Sequence, residues 1–225
     1  MFEKIEKNYI NKGLPHFDGI DNIKRFFTKA TEERDPIWII KAYTAETDFY
    51  KVLNTDIARG ASQYQNERRY IIALLWHHPK LDYISFIGAS YRVMQINPDD
   101  LQKYQQNCSL MTKSFLSSSI DQKLAELFLA RKESSQEQKQ ISGRTKLDGT
   151  FIKLWVMCVY NIKYRRTALH IENSSQYANE GEILIMPYTV FKVKSVKHIQ
   201  PSSLGNQSMT QIEFEECDQY FYIQT

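Results

Sequence analysis

Apolar residues recur at three- and four-residue spacing over Ile20 to Thr31, Trp38 to Asn54 and Tyr64 to Trp76, so the first third of the chain reads as helical. Breaks are expected at Pro36 and Pro79. After Pro79 the pattern turns to short β-rich runs at 83 to 92, 113 to 117, 151 to 160, 182 to 186, 189 to 196 and 211 to 224. One helix interrupts them. The segment Asp121-Gln122-Lys123-Leu124-Ala125-Glu126-Leu127-Phe128-Leu129 lacks glycine and proline and sets Leu124, Leu127 and Phe128 at helical spacing, with Ser119 as its candidate cap. The expected fold class is therefore α+β: one domain over 1–225, with a helical lobe at 1–79 and a mainly β core at 80–225. The polar stretch Lys132 to Gly149, dense in Ser, Gln and Lys, reads as a surface loop. There is no internal repeat.

Composition narrows the function. A chain of 225 residues can bury a sizeable core. Its formal net charge is only +3, and Lys and Arg are spread along it, which argues against a nucleic-acid-binding stripe. Cys108, Cys158 and Cys217 cannot all pair, and Cys158 lies in the apolar run Leu154-Trp155-Val156-Met157-Cys158-Val159-Tyr160, where a reduced, buried thiol is expected. No apolar stretch approaches the roughly 20 residues that span a bilayer, and Met1-Phe2-Glu3-Lys4 has no apolar run behind it. The expectation is an intracellular protein; a secreted one trimmed of its signal peptide would look the same. His77-His78 has no carboxylate or thiol at ligand spacing, so no metal is expected. Gly143 and Gly149 form no phosphate-cradling pattern of the G-x-G-x-x-G kind.

Three stretches carry candidate chemistry. In Tyr177-Ala178-Asn179-Glu180-Gly181-Glu182-Ile183-Leu184-Ile185, two carboxylates flank one glycine and run into an apolar segment. If the strand extends through them, Glu180 and Glu182 share a face, and two like charges so close fit either a site for a cation or forming cation, or a solvated strand start. In Phe115-Leu116-Ser117-Ser118-Ser119, the serine run ends a strand and leaves the Ser117 hydroxyl available for a ligand. In Ser90-Tyr91-Arg92-Val93, an arginine stands where a buried strand would normally carry an apolar residue; the placement suits a phosphate, although on these residues alone a strand-edge arginine paired with a carboxylate is the favoured reading.

Arg92, Ser117 and Glu180-Gly181-Glu182, in that order, resemble the R-S-E pattern of the arginine-type mono-ADP-ribosyltransferases, a family that includes vertebrate ecto-enzymes and binary bacterial toxins. Ala42-Tyr43-Thr44, Leu53-Asn54, Pro187 and Phe191-Lys192-Val193 extend the likeness over roughly residues 40 to 195. The chain departs from the family pattern at Val93, where glycine is usual, and at Ser118, where threonine is usual.

The resemblance implies a β-sandwich-like core and cleavage of the nicotinamide–ribose bond of NAD, used as a substrate, with ADP-ribose passed to an arginine side chain of a protein. Glu182 would stabilise the oxocarbenium-like ribose, Arg92 would hold the pyrophosphate or ribose side of NAD, and Ser117 would bond the nicotinamide ribose and brace Glu182. Glu180 and Tyr177 would face the acceptor. Two alternatives stay open at this point: an NAD glycohydrolase with water as acceptor, and an inactive NAD-binding or interaction module. Neither target protein nor oligomeric state can be read from the residues.

Overall fold

The computed structural model describes residues 1–60, 65–126, 154–175, 181–200 and 209–218. In chain order its elements are α1 (Phe2–Lys4), continued by a wider-wound turn at Ile5–Ile10, α2 (Ile20–Glu33), α3 (Ile37–Tyr43), α4 (Phe49–Arg59), α5 (Gln65–His77), β1 (Gly88–Ile96), α6 (Pro98–Leu101), β2 (Ser109–Met111), β3 (Leu116–Ser119), β4 (Leu154–Ile162), β5 (Ala168–His170), β6 (Glu182–Ile185), β7 (Val190–Ile199) and β8 (Met209–Glu216). They fall into two compact units, and the chain passes from one to the other within β3, between Ser117 and Ser118.

The first unit comprises Met1–Phe86, Thr112–Ser117 and Arg165–Thr189. Its core is built from helix faces: α2 buries Ile23, Phe26, Phe27 and Ala30, spaced by one turn and two. These pack with Ile39, Ile40, Phe49, Leu53 and Ile71, and with Phe115, Leu169, Ile171, Leu184 and Met186 from the strand segments. Gly19 starts α2 at φ +83, and a Cβ there would meet Thr47 Cγ2 at 2.6 Å, so only glycine fits both the left-handed backbone and the space. The far end of α5 is closed by Arg166, whose Nε and Nη2 donate to the carbonyls of Trp76 and Leu75, each at 2.7 Å. That arrangement satisfies acceptors that a helix C-terminus leaves open. β5 pairs antiparallel with β6, setting Leu169 opposite Leu184.

The second unit comprises Ile87–Met111, Ser118–Tyr164 and Val190–Thr225. Its strands run in the order β2-β7-β8-β4-β1, with Ser119 of β3 paired to Tyr91 of β1. All of these pairings are antiparallel except that of β4 with β8. Strand alternation sends Tyr91, Val93, Trp155 and Val159 to one face, where they cover Met157 and Met209. Tyr160, Phe191 and Phe214 cluster together, with Tyr160 stacked on Phe214 at a centroid distance of 4.9 Å.

The expected α+β class and the helical N-terminal part are present, with differences in the elements. The helix expected from Trp38 to Asn54 is two helices. Polar Thr44 to Asp48 separates them, as the Thr44 hydroxyl donates to the Ile40 carbonyl and Thr47 Oγ1 accepts from the Phe49 N–H, at 3.0 and 3.3 Å. The strand expected from 83 starts only at Gly88, because Pro79 opens a 3₁₀ turn over Pro79–Ile84. The first helical turns, which bury Ile5, Tyr9 and Ile10, were not anticipated. Nor were β2 and β5, which are too short to show alternation. The helix after the serine run starts at Gln122; Asp121 Oδ1 accepts from the Lys123 N–H at 2.7 Å and caps it, while Ser119 Oγ accepts from the Asp121 N–H at 3.1 Å. The expected loop at 132 to 149 lies outside the described residues.

Candidate active site

The first unit brings Ser117 and Glu182 together. Ser117 Oγ donates to Glu182 Oε1 at 2.7 Å, a short bond of the kind a hydroxyl makes to a carboxylate. Glu182 opens β6, half-buried, and the three residues after it, Ile183, Leu184 and Ile185, are fully buried. The apolar strand therefore anchors the backbone while its first side chain stays at the edge. A residue that the sequence reading passed over also reaches this carboxylate: Ser175 Oγ lies 3.4 Å from Glu182 Oε2. No spacing or pattern in the sequence separates Ser175 from its neighbour Ser174; only the fold does.

Asn54 fixes the approach of the chain to Ser117. From α4, its Oδ1 accepts from the Phe115 N–H at 3.1 Å and its Nδ2 donates to the Tyr43 hydroxyl at 2.9 Å. The Tyr43 and Phe115 rings meet edge to face at 5.4 Å. One amide thus ties two helices to the residue two positions before Ser117, which gives Tyr43 and Asn54 a physical role beside their part in the resemblance.

Arg92 belongs to the second unit. It lies in the middle of β1, in register with Cys158 of β4, and its positive charge is felt by the Cys158 thiol and the Tyr160 hydroxyl. Burial pushes the Cys158 thiol up to about 11, partly offset by a hydrogen bond with Tyr160 and by Arg92. In the same unit the Ser118 hydroxyl donates to Ser90 Oγ at 3.0 Å, so the second serine of the run is engaged locally.

Tyr177 and Glu180 lie outside the described residues. The expectation that Glu180 and Glu182 share a face therefore falls outside the described residues as well. Gly181, just before β6 begins at Glu182, has φ +52, a left-handed backbone that favours glycine. Among the described residues no group of three or more His, Cys, Asp or Glu side chains is placed to hold a metal. None of the described helices is long and apolar enough to cross a membrane. Cys108, Cys158 and Cys217 are all free thiols.

Neither a protein-family model nor a curated protein sequence matches the chain. Solved structures do resemble it. Exoenzyme S from Pseudomonas aeruginosa, in complex with human 14-3-3 protein beta and carba-NAD, superposes with a TM-score of 0.57 at 12% identity, over 96% of this chain and 88% of that one. The type III effector XopAI from Xanthomonas axonopodis pv. citri gives 0.56 at 16% identity, over 96% and 87%. The ADP-ribosyltransferase Vis of Vibrio splendidus, in complex with agmatine, gives 0.52 at 15% identity, over 93% and 90%. Across nearly its whole length, the chain has the fold of the bacterial ADP-ribosyltransferase toxins and effectors.

Proposed function

We propose that the protein is a mono-ADP-ribosyltransferase that uses NAD as a substrate and transfers ADP-ribose to an arginine side chain of a protein. The observation that carries this reading is the Ser117–Glu182 hydrogen bond: in a chain of this fold, it ties a carboxylate at a strand start to the serine run. NAD cleavage breaks the bond between the ribose anomeric carbon and the nicotinamide nitrogen. Nicotinamide leaves with the electron pair, and positive charge develops on the ribose. A fixed carboxylate stabilises that charge better than water can, because it need not reorient as the charge forms.

Glu182 takes this role, Ser117 orients it, and Arg92 binds the phosphates of NAD through its planar donors. A guanidinium nitrogen of the acceptor then bonds to the anomeric carbon and loses a proton, which Glu180 accepts, with Tyr177 in contact with the acceptor. The carba-NAD held in the exoenzyme S complex supports NAD as the substrate, and glutamate at position 180 together with the agmatine held by Vis, itself a guanidinium compound, supports an arginine acceptor. The three free thiols fit action in a reducing compartment.

Incubation with labelled NAD and agmatine, following nicotinamide release and label transfer together, tests the reading. Release with transfer is the expected result. Release without transfer would make the protein an NAD glycohydrolase, and neither would make it a non-catalytic module.

A further inference from the structure

Resting on that reading of Glu182, we infer that Ser175 is a second positioning residue, which acts on the carboxylate oxygen that Ser117 does not bond, Oε2. Ser117 donates to Oε1, whereas Ser175 Oγ stands 3.4 Å from Oε2. A carboxylate gripped at one oxygen can still swing about that bond. Gripped at both, from two separate segments, it has one orientation, and the charge it offers to a developing cation is preorganised.

The backbone keeps Ser175 in register with Glu182. The Ile171 N–H donates to the carbonyl of Glu182 itself at 2.9 Å, and the Ser174 and Ser175 N–H groups both donate back to the Ile171 carbonyl, at 2.8 and 2.7 Å. Ile171 is fully buried, as is Ser174 nearly so. The turn that presents Ser175 is thus bonded to the same residue whose carboxylate its hydroxyl reaches. A serine whose only duty was to end a turn would not need its side chain aimed at a charged group.

Nicotinamide release from NAD, measured without acceptor on the full chain, separates the roles. Ser175→Ala should lower kcat about tenfold, the cost of one hydrogen bond to a charged group at its weaker end, with KM for NAD and the thermal midpoint unchanged. Ser175→Thr keeps a hydroxyl and should restore kcat. An unchanged kcat in Ser175→Ala overturns the inference. So does a loss that comes with a lowered thermal midpoint, or one that threonine does not rescue, since either marks a structural residue. Glu182→Gln run in parallel isolates the underlying reading: if the wild type releases nicotinamide and Glu182→Gln releases it equally well, that reading fails first and the role of Ser175 falls with it.

Discussion

Ser117 and Arg92 are held in place by different means. Ser117 lies in the four-residue strand β3, next to β6 in the sheet, and side-chain bonds gather around it: Asn54 to the Phe115 N–H and to Tyr43, and its own hydroxyl to Glu182. Arg92 sits within a strand whose every residue from Gly88 to Ile96 is in register with β4. A nine-residue ladder of backbone bonds survives the loss of any one side chain, whereas side-chain bonds that brace a short strand do not. The difference teaches where substitution should disturb the architecture and where it should remove only chemistry.

The largest effect is expected at the carboxylate. Glu182→Gln keeps the size and a hydrogen-bonding oxygen for Ser117 but removes the charge, so nicotinamide release should fall by about 10²–10³ while the circular dichroism spectrum stays that of the wild type. If release survives within a few-fold, Glu182 is not the group that meets the developing cation.

How far these two regions can be read from the residues follows the same division. The strand around Arg92 is legible because alternating apolar and aromatic side chains from 83 onward announce a strand, although Pro79 delays its start to Gly88. The serine run and Glu182 are legible as chemistry through their order along the chain. What holds them is not. The Asn54 to Phe115 bond links positions 61 residues apart and the Ser117 to Glu182 bond links positions 65 apart, and no local pattern reports such pairings. Ser175 escaped because its significance is its distance to one oxygen, and the left-handed φ of Gly181 because glycine in a strand pattern is compatible with both extended and left-handed backbone.

The next effect tests the frame. Asn54→Ala removes both bonds of the amide and strips the nearly buried Phe115 of its N–H acceptor, so stability should fall by about 1–3 kcal/mol, with nicotinamide release falling as Ser117 loses its support. Ser90→Ala is the matching deletion near Arg92. It removes the bond to Ser118 but leaves the β1/β4 register intact, and should lower the thermal midpoint less. Equal destabilisation in the two variants would erase the contrast between frame and ladder.

Arg92→Ala sharpens the other side of the comparison. Charge-assisted bonds to phosphate contribute about 1.5–3 kcal/mol each, so the affinity for NAD, read by calorimetry, should weaken by at least about tenfold while the thermal midpoint holds. A folded variant with unchanged affinity would leave Arg92 a strand residue without a part in NAD binding.

The smallest effect concerns what lies opposite Arg92 in the ladder. The Cys158 thiol is pushed from 9.0 to about 11, with burial as the main cause. The folded protein therefore keeps this proton in a range where the unfolded chain releases it. Between about pH 9 and 11 the folded state binds more protons, so the contribution of Cys158 to stability is fully present below pH 9 and declines as pH rises through that window. Burial raises Tyr160 as well, so the wild-type curve alone does not isolate the thiol, but a comparison does. Denaturation midpoints measured from pH 8 to 11 should fall less steeply in Cys158→Ala than in the wild type. Parallel curves would mean that the thiol is not protected in solution, and that the strand ladder around Arg92 opens more readily than its continuous register implies.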